Sequence, residues 1–544
     1  MIHFKNISGD ISGVITAAVV ALPLALAFGV QSGMGAIAGL YGAIALGLIA
    51  ALLGGTKTQI SGPTGPMAVV AAAVIASEVA YYGSVDAAFP TIIATFVLAG
   101  VFQLLLGVSG IGHYIRYMPY PVISGFMTGI GLIIILLQLF PFFGLESPTK
   151  VMDVITSIDT IIPNMNMQAM LLASATIAII YLMPLVTKKL PSTLVALISL
   201  SVLSTLMHLD VPIIGDIPKG LPEVHVDTLF RFDWKHPMVL IIPAITLAAL
   251  GSIDSLLTSV VADNMTKSKH DSNKELIGQG IGNMLAGIVG GLPGAGATMR
   301  TVVNINAGGR ERLSGVVHAV VLLVVLLGAG NYAALIPLPV LAGVLVTVGI
   351  GIIDYKGLKH MLHVPRSDMV VMLIVLVLTV TVDLLQAVAV GVVLASILFM
   401  KQMGDTLESK TYTSLIDDNK PVMFEDEKSL QQDHTNTIYV QHFDGPIFFG
   451  FTAYFSKVMS QMPDVKIVIL RMDNVPYIDQ SGIYALEDAM FEFNKKGVVV
   501  LISGMQKQPL SMLSKIKFIP ELIPYERIFK DYETLKNFIY VEKN

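Results

Sequence analysis

The 544-residue sequence is 54% hydrophobic and only 13% charged, with a mean hydropathy of +0.73. A soluble domain carries about 25% charged residues, so the composition predicts a polytopic membrane protein. The net charge of −5 offers no basic surface for nucleic acid, and the absence of cysteine excludes disulfides and thiolate metal sites.

The opening residues "MIHFKNISGD" lack the basic start, apolar run and small-residue cleavage site of a signal peptide, so the first apolar run is expected to remain as a helix. A bilayer crossing takes about 20 apolar residues. Runs of that kind lie near 11–30, 33–53, 64–80, 90–109, 120–141, 168–186 and 192–208. A second set lies near 238–262, 276–291, 298–307, 313–329, 332–350, 368–382 and 384–400. The pattern predicts seven and seven transmembrane segments, with a polar connection over 209–237. The run at 298–307 is too short to cross alone.

Basic residues test that count. With both termini cytoplasmic, the inner segments hold Lys5, Lys57, Arg116, Lys188, Lys189, Lys267, Lys269, Lys274, Arg310, Arg312, Lys356, Lys359, Arg366 and Lys401. The outer segments hold only Lys150, Lys219, Arg231 and Lys235, which obeys the positive-inside bias. These positions predict a multi-pass protein of the plasma membrane, the inner membrane of a bacterium.

Residues 1–401 are therefore expected to form the transmembrane domain, with repeats over about 10–208 and 238–400. Residues 402–436 are polar and acidic and read as a linker. From 437 to 544 the pattern is that of a small α/β domain. "TIYVQHF", "KIVILRM" and "VVVLISG" read as strands, and "SGIYALEDAMFEFNKKG" as an amphipathic helix ending at glycine.

Inverted-repeat transporters carry Gly/Pro-interrupted hydrophobic segments at matching places in two halves. "LIAALLGGTKTQISGPTGPMAVV" (48–70) and "MLAGIVGGLPGAGATMRTVVN" (284–304) form such a pair, anchored by Gly54-Gly55 and Gly290-Gly291. Non-helical backbone at membrane depth is tolerated only where protein buries it or it lines a wet cavity. Two short helices starting near Pro66 and Thr298 would aim their N-termini at the midplane from opposite sides, offering free N–H groups to an anion. Close helix packing through small residues is the alternative role for these glycines.

Two ionisable residues fall well inside the apolar runs: Asp254 and Arg300. Asp263, Asp354 and Asp383 sit at run ends and Glu78 near one, where solvated or capping roles are expected. Asp254 has Thr258 one turn later on the same helix face. With carbonyls from Gly296, Ala297 and Thr298 they would make a hard-oxygen environment suited to Na⁺. Asp254 could instead carry a proton, or Asp254 and Arg300 could simply neutralise each other. Thr64, beside Gly65 and Pro66 at the other helix start, is a candidate hydroxyl donor to an anion. The histidines lie mostly in loops or beside the apolar runs without metal-ligand spacing, and "GLPGAGATMR" is neither a phosphate loop nor a dinucleotide fingerprint. No enzymatic constellation and no cofactor is expected.

The motifs "ISGPTGPMAVV", "IDSLLTSVVAD", "NKELIGQGIGN" and "GLPGAGATMRTVVN" resemble the SulP (sulfate permease) anion transporters of the solute-carrier-26 superfamily, in particular the BicA branch of Na⁺-dependent bicarbonate transporters. The resemblance runs essentially full length. It implies a 7+7 inverted repeat, a core domain moving against a gate domain in an elevator-like manner, a homodimer, and a substrate site between the third and tenth helices. By motif it implies Na⁺ at Asp254, Thr258, Gly296, Ala297 and Thr298, and the anion at Thr64, Gly65, Pro66, Ala297, Thr298 and Arg300. Leu24 after Pro23 fits the bicarbonate branch, since many sulfate permeases have Gln there. Arg300 fits the wider family, where the BicA pattern implies a small residue, and suits a divalent anion such as sulfate.

"VPYIDQSGIYALEDA" resembles STAS modules, with Ser481 at the phospho-acceptor position of anti-sigma-factor antagonists. A plain helix-capping serine is the simpler role. The module implies regulation, a cytoplasmic partner or a dimer contact. The expected function is Na⁺-coupled bicarbonate symport. The alternatives are sulfate or other oxyanion transport coupled to H⁺ or Na⁺, an uncoupled anion exchanger, and a transport-inactive signalling scaffold.

Overall fold

The computed structural model describes residues 7–114, 118–148, 150–187, 191–215, 223–229, 237–382, 384–410, 412–415, 438–450, 452 and 465–541. Lys5, Arg116, Lys188, Lys189, Lys219, Arg231, Lys235 and Asp383 lie outside them. The chain forms two compact units, Met1–Ala395 and Ser396–Asn544.

The first unit is helical. Its elements are α1 (Ile7–Ser32), α2 (Ala36–Leu53), β1 (Ser61–Gly62), α3 (Gly65–Tyr82), α4 (Val85–Val108), α5 (Tyr120–Leu137), α6 (Met167–Val186) and α7 (Ser192–Leu206). There follow α8 (Pro237–Thr266), α9 (Ser272–Ile288), β2 (Ala295–Gly296), α10 (Thr298–Asn306), α11 (Arg312–Ala333), α12 (Leu338–Ile352), α13 (Arg366–Thr381) and α14 (Leu384–Lys410), which runs on into the second unit. Shorter helical turns between them are left unnumbered. Every apolar run of the sequence falls on one of these helices. Seven of the described helices are long and apolar enough to cross a membrane, and the protein is a multi-pass membrane protein.

Five expectations are corrected. The fourth helix starts at the Ser84 cap, whose Oγ accepts from Ala87 N at 3.2 Å, and takes Pro90 inside rather than at its start. The twelfth starts at Leu338 and not near 332, because Ile213 bridges Pro337 and Leu338 N donates to Pro212 O, holding that approach extended. Of the two helices expected to be short, α3 has 18 residues and only α10, with 9, is short. Glu78, expected to be solvated, is only 3% exposed. The expected linker over 402–436 is also partly structured: α14 continues to Lys410 and a strand occupies Tyr412–Leu415.

Packing sorts the helices into two groups. In one, α9 lies against α4 and α2, α11 against α2 and α1, and α8 against α4. In the other, α5 meets α13 and α12, while α6 meets α12 and α7. Glycines set the approach within the first group: a Cβ on Gly278 would lie 2.5 Å from Gly54 N, and one on Gly280 would lie 2.5 Å from Leu104 N. Backbones meet there because nothing larger than hydrogen intervenes.

The second unit is an α/β domain. Strands β3 (Tyr412–Leu415), β4 (Ile438–Asp444), β5 (Ile467–Asn474), β6 (Val499–Ser503) and β7 (Ile528–Phe529) lie in that order. Only the β3–β4 pair is antiparallel. Helix α15 (Gln480–Lys495) buries Ile483, Leu486, Ala489, Met490 and Phe493 in one core cluster, a helical spacing that predicts one apolar face. Helix α16 (Tyr532–Val541) buries Leu535 and Ile539 in a second cluster with Ile438 and Val440. Asp479, not Ser481, caps α15: its Oδ1 accepts from Gly482 N at 2.7 Å, worth about 1 kcal/mol. Ser481 is exposed in the first turn.

Within the membrane unit, Asp354 ties α12 to α5. Its Oδ2 accepts from Tyr120 OH and Ser124 Oγ, each at 2.6 Å, and its Oδ1 accepts from Gly357 N at 3.1 Å. Burial pushes this loop carboxyl up, but the bonds from Ser124, Tyr120 and the Gly357 amide outweigh it and hold its pKa below the ordinary value. The resulting stability is present above the ordinary carboxylate range and lost as pH falls through the depressed value. Asp354→Asn is therefore expected to melt below the wild type at neutral pH. The gap should narrow only below about pH 4 in melts across a pH series.

Candidate functional site

The two interrupted segments meet. Strands β1 and β2 form a two-residue antiparallel ladder, Ser61 opposite Gly296 and Gly62 opposite Ala295. Because the strands are antiparallel, α3 and α10 leave the crossing in opposite directions, and both start there. Gly54 ends α2 and Gly290, at φ 68°, turns the chain out of α9, so the two glycine pairs do open the interruptions.

Around this ladder the backbone is satisfied from several helices. Ala297 N donates to Ile60 O at 2.8 Å, and Ile60 N to Thr301 Oγ1 at 3.0 Å. Asn283 of α9 brackets Gly294, accepting from its N at 2.8 Å and donating to its O at 3.0 Å. Ser255 Oγ accepts from Gly296 N at 3.0 Å.

Four predicted residues converge here through their side chains. Thr64 is the N-cap of α3, yet its hydroxyl makes no cap bond and donates instead to Asp254 Oδ2 at 2.8 Å. One turn along α8, Thr258 Oγ1 donates to Gly296 O at 2.9 Å and lies 2.6 Å from Thr298 Oγ1. Asp254, Thr258 and Thr64 are all buried. Gly65 and Pro66 form the first turn of α3, where a Cβ on Gly65 would lie 2.8 Å from Ile134 Cδ1 of α5. A small cavity beside Asp254 is lined by Pro66, Phe126, Met127 and Leu257. Ala297 contributes its backbone at the start of α10.

Arg300 does not sit as the ion-pair partner of Asp254. It is 2% exposed, its Nη2 donates to Pro63 O, and a Cβ on Gly62 would lie 2.6 Å from Nη1. Asp254 and Arg300 are thus not a contact ion pair; the guanidinium braces the chain just before α3. Its Nη1 has no hydrogen-bond partner. Ser481 belongs to the other unit and takes no part in this site.

Sequence reasoning missed the residues behind the crossing. Glu275, Gln279 and Asn283 recur every fourth residue on α9 and are all buried. That periodicity was the available signal in "NKELIGQGIGN". His318, inside the apolar run expected over 313–329, is fully buried within α11.

Comparison with known proteins gives a consistent picture. The profile of the sulfate permease family matches residues 7–375, and that of the STAS domain residues 429–535. The bicarbonate transporter BicA of Picosynechococcus sp. is 42% identical over 98% of this chain and 95% of its own. The transmembrane domain of a cyanobacterium bicarbonate transporter BicA is 49% identical, covers 71% of this chain and 98% of its own, and superposes with a TM-score of 0.66. The murine Slc26a9 anion transporter in the inward-facing state covers 100% of this chain and 92% of its own at 18% identity, with a TM-score of 0.85, a likeness of fold.

Gly294 offers a test of the crossing. A Cβ there would lie 2.1 Å from Gly62 O, backbone against backbone. Gly294→Ala is expected to destabilise the membrane unit by about 1–3 kcal/mol, read as a lowered melting temperature of the purified chain.

Proposed function

This chain belongs to the sulfate permease family and carries a STAS domain, and we propose that it is a Na⁺-coupled bicarbonate symporter of the plasma membrane. It transports inorganic anions, as its relatives do, and bicarbonate is favoured by the near full-length identity to a bicarbonate transporter. The observation that carries the coupling is the meeting of Thr258 Oγ1, Gly296 O and Thr298 Oγ1 one helical turn from Asp254. Hydroxyls, a carbonyl and a carboxylate are the hard oxygen donors that suit Na⁺.

In this reading the Thr64–Asp254 hydrogen bond couples the two ions. Without Na⁺ the carboxylate holds the Thr64 hydroxyl away from the start of α3. Na⁺ at Asp254, Thr258 and the 296–298 carbonyls neutralises that carboxylate and releases the hydroxyl toward the anion. The first-turn N–H groups at Gly65 and Thr298 supply the remaining positive surround. The two helix groups then act as core and gate, moving past one another in an elevator-like step. A cavity of about 960 Å³ between Gln31 and Gly33, Ala72 to Val79, Gln138 to Pro148 and Leu338 to Leu345 is the route in from one side.

The same reading takes the fourteen helices as a 7+7 inverted repeat with cytoplasmic termini, on the strength of the basic-residue asymmetry. It includes a homodimer and a cytoplasmic partner met through the STAS domain, where Ser481 is an exposed hydroxyl. Sulfate is the second reading, favoured by the unpartnered Nη1 of buried Arg300.

Uptake of labelled bicarbonate and sulfate into proteoliposomes, with and without an inward Na⁺ gradient, tests the proposal. Bicarbonate uptake indifferent to Na⁺ would refute the coupling. Asp254→Ala is expected to abolish Na⁺-dependent uptake, and retained Na⁺ stimulation would remove Asp254 from the cation site. Arg300→Gly is expected to weaken sulfate more than bicarbonate. Equal losses would leave Arg300 as a brace without a part in selectivity.

A further inference from the structure

Behind the crossing lies a buried carboxylate that the transport reading leaves unused. Glu275 is 1% exposed, and among the described residues no cationic side chain pairs with it. Its partners are amides: Thr56 N donates to Oε2 at 2.7 Å, while Gln59 Nε2 and Gln279 Nε2 each donate to Oε1 at 2.8 Å. A carboxylate accepts only, so it fixes which end of each glutamine faces it.

That orientation propagates to both ion sites. With Nε2 of Gln279 turned to Glu275, the same nitrogen also donates to Ser61 Oγ of β1 at 2.6 Å. With Nε2 of Gln59 turned likewise, its Oε1 accepts from Ser259 Oγ at 2.9 Å, one residue after Thr258. Gln59 also bounds β2: a Cβ on Gly296 would lie 2.2 Å from Gln59 Nε2. The carbonyl that Thr258 meets therefore belongs to a residue held against the glutamine that Glu275 orients.

We infer that Glu275 is a positioning residue for transport, one that fixes the register of the β1–β2 crossing, and with it the Na⁺ and anion affinities, by setting the amide orientations of Gln59 and Gln279. This rests on the symport reading above. Glu275 touches neither ion; it acts through the two glutamines and, further along the same face of α9, alongside the Asn283 bracket on Gly294.

The test uses the full chain in proteoliposomes and measures half-saturating Na⁺ and bicarbonate, maximal rate and melting temperature for each variant. Glu275→Gln is nearly isosteric, but in either amide orientation its NH₂ faces a donor, the two glutamine NH₂ groups or Thr56 N–H, and the charge that holds all three is gone. It is expected to raise the half-saturating concentrations about tenfold, the scale of a lost charge-assisted hydrogen bond. Exchanging the partners, in Glu275→Gln with Gln59→Glu, restores a carboxylate–amide pair and is expected to recover most of that loss. Leu276→Ala, on the same helix but buried in apolar packing, should lower the melting temperature without moving either half-saturation. If Glu275→Gln does not assemble, Gln279→Met carries the same expectation, since it removes the Glu275–Gln279–Ser61 relay while leaving the bond from Gln59 to Glu275 in place. Half-saturations within about twofold of the wild type in Glu275→Gln, or in Gln279→Met where the former does not assemble, would overturn the inference. So would a loss confined to melting temperature, or an exchange variant no better than the single one. A wild type indifferent to Na⁺ would instead refute the symport, leaving bicarbonate half-saturation as the readout for Glu275.

Discussion

The structure turns on one requirement: two pieces of non-helical backbone must have their N–H and C=O groups paired inside an apolar helical unit. Each group left bare there costs several kcal/mol. The ladder between β1 and β2 pairs only two residues of each strand, and beyond the bond from Ala297 N to Ile60 O much of the remainder comes from side chains. Thr301 and Arg300 of α10, Ser255 of α8 and Asn283 of α9 supply it. Their identities follow from the groups they serve: a hydroxyl where one amide needs an acceptor, an amide side chain where Gly294 needs both.

This requirement divides the buried polar residues into two sets. Those bonded to the crossing's backbone are committed; withdrawing them to bind an ion would leave a bare peptide group behind. Thr64, Asp254, Thr258 and Thr298 differ, because most of their bonds are to one another. Exchanging a hydroxyl–carboxylate or hydroxyl–hydroxyl bond for a bond to an ion leaves no peptide group unpaired. Ligand binding is therefore concentrated where polar side chains satisfy each other, and rigidity where they satisfy backbone. The glycine-lined contacts of α9 with α2 and α4 hold the second set in place, since helices this close have no room to slide without backbone collision.

Most of the site was legible because its residues break the local pattern. Asp254 and Arg300 stand out in apolar runs, and paired glycines with prolines stop helices that would otherwise continue. Helix existence was legible for the same reason, while starts were not: Pro90 looks like a boundary, yet the Ser84 cap lies upstream. The α9 stripe was hard to see because Glu275, Gln279 and Asn283 look like the solvated face of an amphipathic helix. Only the position of β1 against that face reveals them as interior. Arg300 was legible only in part. Its charge drew attention to the anion, while its bond to Pro63 O is a backbone contact that no spacing encodes.

Charge balance then links the scaffold to the transported species. Three ionisable side chains, Asp254, Glu275 and Arg300, are buried around the crossing, and Glu275 accepts from three N–H donors there. In the proposed symport a cation and an anion carried together change the charge of this poorly solvating centre less than either ion alone. One Na⁺ with one bicarbonate returns the centre to its starting charge, whereas one Na⁺ with sulfate does not. For that proposed pair electrostatics favours a monovalent anion per Na⁺, even though an arginine lies close by. One guanidinium nitrogen of Arg300 is committed to the backbone of the crossing through Pro63 O, and Nη1 is left without a partner.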